Sequence, residues 1–193
     1  MTERHPRDAY ETDESLAGFL VELLGILPAE NILEPSAGQG AFVRAVKASV
    51  PDTYICAIEP RFECLPALQK SNIDSVIPCT LEQVPDSYWE RWGHFDWVIG
   101  NPPYTLAQQH IELLMERLAP GGRLAFLLRI NFLGAQKRHQ FWQDYSPKHI
   151  WVLSERPSFT GGGTDMTEYA FFLWEKGFEG PTALSVVSWK EKR

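Results

Sequence analysis

Cysteine is scarce in this chain. Cys56, Cys64 and Cys79 are the only three in 193 residues, and they form neither a Cys-x-x-Cys pair nor a spacing to histidine that would ligate zinc. That excludes a disulfide framework and a zinc site, and it fits thiols kept reduced in a cytoplasmic location. The five histidines are scattered, which suits packed or solvated rings and no metal. No apolar run reaches the ~18 residues that a membrane span requires, and no signal peptide is legible, so no membrane partner is expected. Internal repeats and low-complexity tracts are missing as well. Base is in short supply: 18 Lys and Arg face 25 Asp and Glu, for a net charge of −7. What remains is an ordinary globular composition, 44% apolar, long enough for one sizeable core and short for two.

Within that composition two loops stand out. The first is Asn31-Ile-Leu-Glu-Pro-Ser-Ala-Gly-Gln-Gly-Ala-Phe42, in which an apolar stub ends in an acid, then Gly38-x-Gly40, then a helical stretch. Glycines in such a place let the backbone pass close to a ligand at the carboxyl end of a strand. The loop lacks the Gly-Lys-Ser/Thr of a Walker A sequence and the third glycine of a dinucleotide fingerprint. Glu34 would repel a pyrophosphate but suits a cation, such as the ammonium group of S-adenosylmethionine. A second apolar stretch, Tyr54-Ile-Cys-Ala-Ile, closes in Glu59, 25 residues after Glu34. An acid there is placed to accept hydrogen bonds from ribose hydroxyls.

The second loop is Asn101-Pro102-Pro103-Tyr104, straight after the apolar run Trp97-Val98-Ile99. Two prolines fix two φ angles and delete two N–H donors, so the backbone is stiff and presents carbonyls. An Asn side chain beside such a carbonyl offers two acceptors for the hydrogens of one amino group, and Tyr104 adds a ring on which a base can stack. Taken alone, Asn-Pro-Pro also reads as a turn leaving a strand.

Together these residues resemble the class I S-adenosylmethionine-dependent methyltransferases, and among them the DNA adenine-N6 enzymes with an Asn-Pro-Pro-Tyr motif. Arg156-Pro-Ser-Phe159 through Asp165 and Glu168 to Trp174 resemble small phage and prophage members, so the likeness spans residues 10 to 176. It implies a cofactor site of Tyr10, Thr12, Glu34, Pro35, Ser36, Ala37, Gly38, Gly40, Phe42, Glu59, Thr80, Leu81 and Asn101. Its catalytic loop is Asn101, Pro102, Pro103 and Tyr104. Two positions depart from the family: Asp13 stands where Tyr-x-Thr is usually followed by proline, and Cys79-Thr80-Leu81 replaces an acid that bonds the cofactor's adenine, leaving Thr80 or Glu82 for that task. The implied activity is methylation of adenine N6 in DNA with relaxed sequence specificity, preference being left to Thr164 and Asp165. An RNA adenine, a protein glutamine, a cytosine N4 and a non-catalytic cofactor-binding subunit are the alternatives.

Charge is unevenly spread. Residues 117–156 hold seven bases against two acids, whereas residues 1–116 hold seven against 18. The basic stretch is the expected footprint on nucleic acid, with Arg129, Lys137, Arg138 and Arg156 as phosphate contacts and Tyr104 and Phe159 as rings for a flipped base.

Hydrophobic periodicity gives a helix over 13–27 capped by Thr12, then strand 31–35, helix 40–49, strand 53–59, helix 61–71, strand 74–79 and strand 95–100. Helix 105–119, strand 123–130, helix 134–145 and strands 149–154 and 168–175 follow. Thr182 to Trp189 reads as one more short strand. The expectation is a single α/β domain over 1–193, doubly wound and Rossmann-like, mostly parallel with an antiparallel strand near the C-terminus. Its parts are an N-terminal segment 1–30, a core 31–176 and a tail 177–193.

Overall fold

The computed structural model describes residues 11–159 and 167–190. Helix α1 (Glu14–Leu24) starts at Asp13, whose carboxylate accepts from the N–H groups of Ser15 (2.9 Å) and Leu16 (3.1 Å), and ends at Gly25 with φ 63°. The cap is therefore Asp13 and not Thr12. An ionised acceptor makes the stronger cap, and the Thr12 hydroxyl is instead occupied by the amide of Asn101.

Strands β1 (Asn31–Glu34), β2 (Tyr54–Ile58), β3 (Ser75–Ile77), β4 (Phe95–Gly100), β5 (Leu118–Arg129), β6 (His149–Leu153), β7 (Tyr169–Glu175) and β8 (Ala183–Val187) form one sheet in the order β3-β2-β1-β4-β5-β7-β6-β8. All neighbouring pairs are parallel except those of β7, which runs antiparallel to both β5 and β6. The antiparallel strand near the C-terminus is thus in place. Residues 183–187 pair with β6 at the sheet edge, so the segment read as a tail contributes a strand.

Helix α1 and α2 (Ala41–Ser49) cover one face of the sheet, where Phe42 stacks on Phe171 with centroids 6.3 Å apart. The other face is covered by α4 (Asp86–Trp92), α5 (Ala107–Arg117) and α6 (His139–Asp144), which bring Trp89, Ile111, Leu114 and Phe141 onto Leu33, Val98, Phe126 and Phe172. Burial on both faces is why the central strands read as continuous apolar runs.

Several boundaries differ from the sequence reading. Helix α3 (Leu65–Gln69) is half the expected length, because a 3₁₀ turn precedes it and Asn72, at φ 56°, ends it. Helix α4 was missed altogether; seven residues show too little of a 3.6 period to be seen. Strand β5 begins at Leu118, since Pro120-Gly121-Gly122 bends the strand instead of preceding it. A Cβ at Gly122 would lie 2.9 Å from the carbonyl oxygens of Ala119 and Phe95. The stretch 134–145 yields only α6, because Gly134 and Ala135 are extended and a 3₁₀ turn fills 136–138.

Candidate active site

The predicted loops converge because each follows a parallel strand at its carboxyl end. Glu34 ends β1, Glu59 follows β2, Thr80 to Glu82 follow β3 and Asn101 follows β4. They gather where the strand order reverses between β1 and β4, the place where open α/β sheets bind ligands. A cleft of about 850 Å³ lies there.

Its charge is lopsided. Among the described residues Glu11, Asp13, Glu14, Glu34, Glu59 and Glu82 line it, against the guanidiniums of Arg44 and Arg61. Glu34 is 3% exposed, and its Oε2 has no hydrogen-bond partner. Burial holds its carboxyl well above the usual carboxylate range, with the charge of Glu59 adding to the effect; a hydrogen bond from the Val43 backbone and the charge of Arg44 oppose it. A buried acid lacking one acceptor bond, in a cleft short of cations, is complementary to a positively charged ligand.

Glu59 is equally buried but well partnered. Its Oε2 accepts from Gly38 N–H at 2.6 Å, and its Oε1 accepts from the Arg61 backbone N–H at 2.9 Å and side-chain Nε at 2.8 Å. Arg61 was not foreseen, although its position two residues after the acid is the signal that was available. The loop after β1 is held by Ala37 N–H to the Ile58 carbonyl (3.0 Å) and turns at Gly40, φ 87°, into α2. Pro35, Ser36, Ala37 and Gly38 line the cleft, as does the inner edge of Phe42.

The N-terminal segment closes the cleft from outside through three contacts: Gln39 amide to Glu11 (2.6 Å), Arg44 to Glu14, and Asn101 Nδ2 to the Thr12 hydroxyl (3.2 Å). Tyr10, also expected here, lies outside the described residues. Beyond β3, Thr80 spends its hydroxyl in a capping box with Gln83, while Leu81 is buried in the wall. Glu82 bonds His110 Nε2 at 2.8 Å. Burial pushes the His110 imidazole down, against the pull of Glu82, so the ring is neutral near pH 7. His110 is a cleft residue that no spacing in the sequence announced.

In the loop after β4, Pro102 is buried, and the Pro103 carbonyl accepts from Leu106 N–H at 2.9 Å. Tyr104 is half-buried with its ring 5.9 Å from Tyr169, whose other side meets Phe159 at 5.0 Å. The Arg129 guanidinium sits 4.7 Å above the Tyr104 ring. Burial, then the neighbouring Tyr169, keeps the Tyr104 hydroxyl well above the ordinary phenol range, so it stays protonated.

A second cavity, about 280 Å³, adjoins the first at Thr105 and is lined by Tyr104, Thr105, Leu128, Arg129, Asn131, Phe132, Lys137 and Arg138. It collects three bases and, among the described residues, no acid. The rest of the basic stretch is dispersed: Arg123 and Lys148 pair with Glu175, Arg117 lies over Trp89, and Arg156 pairs with Glu168 outside both cavities. The expected basic face is therefore a single pocket. Among the described residues no group of three or more His, Cys, Asp or Glu is arranged to hold a metal ion, and no helix is long and apolar enough to cross a membrane.

Neither a protein-family model nor a curated protein sequence matches the chain. Solved structures do. A provisionally assigned class I S-adenosylmethionine-dependent methyltransferase from Listeria monocytogenes superposes with TM-score 0.68 at 17% identity, covering 93% of this chain and 67% of that one. The M protein of the type I restriction enzyme EcoKI gives 0.66 at 19% identity over 89% of this chain and 45% of its own, so this chain spans less than half of that protein. An RNA methyltransferase from Salinibacter ruber, solved with S-adenosyl-L-homocysteine, gives 0.58 at 12% identity over 89% and 96%. The chain has the fold of the class I S-adenosylmethionine-dependent methyltransferases.

Proposed function

We propose that this chain binds S-adenosylmethionine in the acid-lined cleft and transfers its methyl group to the N6 amino group of adenine in DNA. The observation that carries this reading is the junction of two oppositely charged cavities at one loop, Asn101 to Thr105. An acidic cleft fits a cationic cofactor, and a basic pocket fits a phosphate-bearing acceptor. The residues present fit the cofactor: Glu34 has an unsatisfied buried oxygen in the cleft, and the loop 35–40 follows β1 into the N-terminus of α2.

When bound, S-adenosylmethionine supplies a methyl group already activated by a positive sulfur. The chain's own contribution is orientation and electrostatics. Glu34 lies ready for an ammonium group and Glu59 for ribose hydroxyls once Arg61 yields its oxygens. An adenine amino group is a weak nucleophile because its lone pair is delocalised into the ring. Asn101 Oδ1 and the Pro102 carbonyl would accept its two hydrogens, draw the nitrogen towards tetrahedral geometry and stabilise the positive charge that develops on it. Thr12 accepts from the Asn101 amide nitrogen at 3.2 Å, which ties this side chain to the N-terminal segment. The Tyr104 ring would offer a stacking surface to an extruded base once the Arg129 guanidinium, 4.7 Å above it, gives up that face. No strong base is required: the amino group, cationic once methylated, is acidic enough to lose its extra proton to solvent, and a protonated Tyr104 does not accept it.

The test is transfer of label from methyl-labelled cofactor to single-stranded DNA, duplex DNA, RNA and a protein extract, followed by identification of the product. The expected product is N6-methyladenine in DNA, and Asn101→Ala is expected to lower turnover by roughly 10²–10³-fold while calorimetry finds cofactor affinity retained. Label in glutamine, in cytosine or in RNA alone would replace this reading with the corresponding one.

A further inference from the structure

The small cavity beside Tyr104 holds one of its bases on backbone carbonyls and a ring. Arg138 Nη1 donates to the carbonyl of Phe132 at 2.8 Å and to that of Gly134 at 3.4 Å, and its guanidinium lies 4.6 Å over the Phe132 ring. Carbonyls and a ring fix the side chain without cancelling its charge. The Phe132 ring is itself held by Phe141, Trp142 and Phe172, so the mount is rigid. A guanidinium has five N–H donors, and most of those of Arg138 remain for a ligand. Lys137, exposed, stands next to it on the same turn. By contrast Arg44, Lys47, Arg61, Arg123, Lys148 and Arg156 each meet a carboxylate, and Arg117 and Lys176, which meet a ring and backbone carbonyls, line neither cavity.

We propose that Arg138 and Lys137 form a seat for one phosphodiester of the acceptor strand, the one next to the nucleotide whose base reaches Asn101. The proposal rests on the reading of the acceptor as nucleic acid and adds where, and how sparsely, its backbone is held. A cavity of 280 Å³ is at the small end for ligand sites and suits a phosphate with its sugar, not a length of duplex. Tyr104 and Thr105 form its other wall, so an anion seated on Arg138 is one side chain away from the catalytic loop. A single seat also reconciles nucleic-acid binding with a net charge of −7, because one phosphate is gripped in a pocket while the rest of the strand lies free. The salt dependence should accordingly be shallow, about 0.7 units of logarithmic slope per phosphate on a single strand.

The experiment measures binding of a short single-stranded oligonucleotide with one adenine, in the presence of S-adenosylhomocysteine, with each linkage in turn replaced by an uncharged methylphosphonate. One linkage beside the adenine should weaken binding by roughly tenfold when neutralised, as a lost charge-assisted contact does, and the others by less than about twofold. In Arg138→Gln that linkage should become no more sensitive than its neighbours. Because Arg138 also holds the turn at 132–134, Lys137→Gln, which leaves those bonds intact, should show a partial loss of the same sensitivity, with thermal midpoints recorded for both. A flat profile in the wild type, or a sensitive linkage unchanged in both variants, overturns the seat. Methyl transfer is scored separately: transfer with a flat profile removes the seat and leaves the proposed function, while a sharp profile with no methylated adenine does the reverse.

Discussion

Glu34 and Glu59 are two buried acids in one cleft with different partners. Glu59 has Arg61 and Gly38; Glu34 has burial without full compensation. A carboxyl whose folded pKa is raised contributes its full share of stability at low pH and loses it as pH rises through that pKa. The ligand-free wild type should therefore lose ground to Glu34→Gln as pH is raised, read as a growing gap in thermal midpoint. A cationic ligand lowers the same pKa, so cofactor binding should release protons in the wild type and fewer in Glu34→Gln, measured by calorimetry in two buffers of different ionisation enthalpy. Equal proton release would place the ammonium contact elsewhere. Arg61 carries the opposite expectation. Its side chain occupies the oxygens of Glu59, so Arg61→Ala should tighten S-adenosylhomocysteine by up to about tenfold, roughly 1.4 kcal/mol, while lowering the thermal midpoint of the free protein because a buried carboxylate is left unpaired. An unchanged affinity would mean that the ion pair persists alongside bound ligand.

At the scale of elements, the loop 35–40 is held between β1, α2 and α3. Gly40 has φ 87°, and a Cβ there would come within 2.9 Å of Leu68 Cδ2 and 3.2 Å of Ser71 Oγ on the α3 side. Gly40→Ala should cost about 1–3 kcal/mol in unfolding experiments, through strain at a left-handed position and crowding against α3. A loss below half a kcal/mol would show that the loop relaxes freely. Elements also mark where sequence reading succeeded. The apolar runs 31–34, 54–58 and 95–100 were visible because strands buried on both faces need no alternation. The short helix α4 was not, because its burial depends on Trp89 meeting partners distant in the chain, and α6 was seen but read too long.

At the scale of the whole molecule, an acid-rich cleft adjoins a basic pocket. One good bidentate contact discriminates between bases by only about 1–3 kcal/mol, and tight recognition of a duplex site takes several of them on an element that enters a groove. The described residues offer one small pocket beside the catalytic loop for such contacts, and Thr164 and Asp165 lie outside them. Methylation of adenines in many contexts is expected, with at most a flanking preference, and sequencing of methylated positions on treated plasmid checks it. A single recognition site methylated to completion with none elsewhere would contradict it.

By itself the sequence determined the strand runs, the two loops that follow β1 and β4, and the two acids that close the first two strands, because these are local: a stiff Pro-Pro turn and a glycine turn are written in consecutive residues. Only the tertiary structure decided how they are used. It moved the cap of α1 to Asp13 and gave Thr12 to Asn101, set Arg61 on Glu59 and His110 on Glu82, and sorted a basic stretch of seven residues into three acid-paired cations, three that line one pocket, and Arg117, which lies over Trp89. Charge along a sequence does not say which carboxylate a guanidinium will meet; that is settled by packing between elements up to 52 residues apart, as between Arg123 and Glu175.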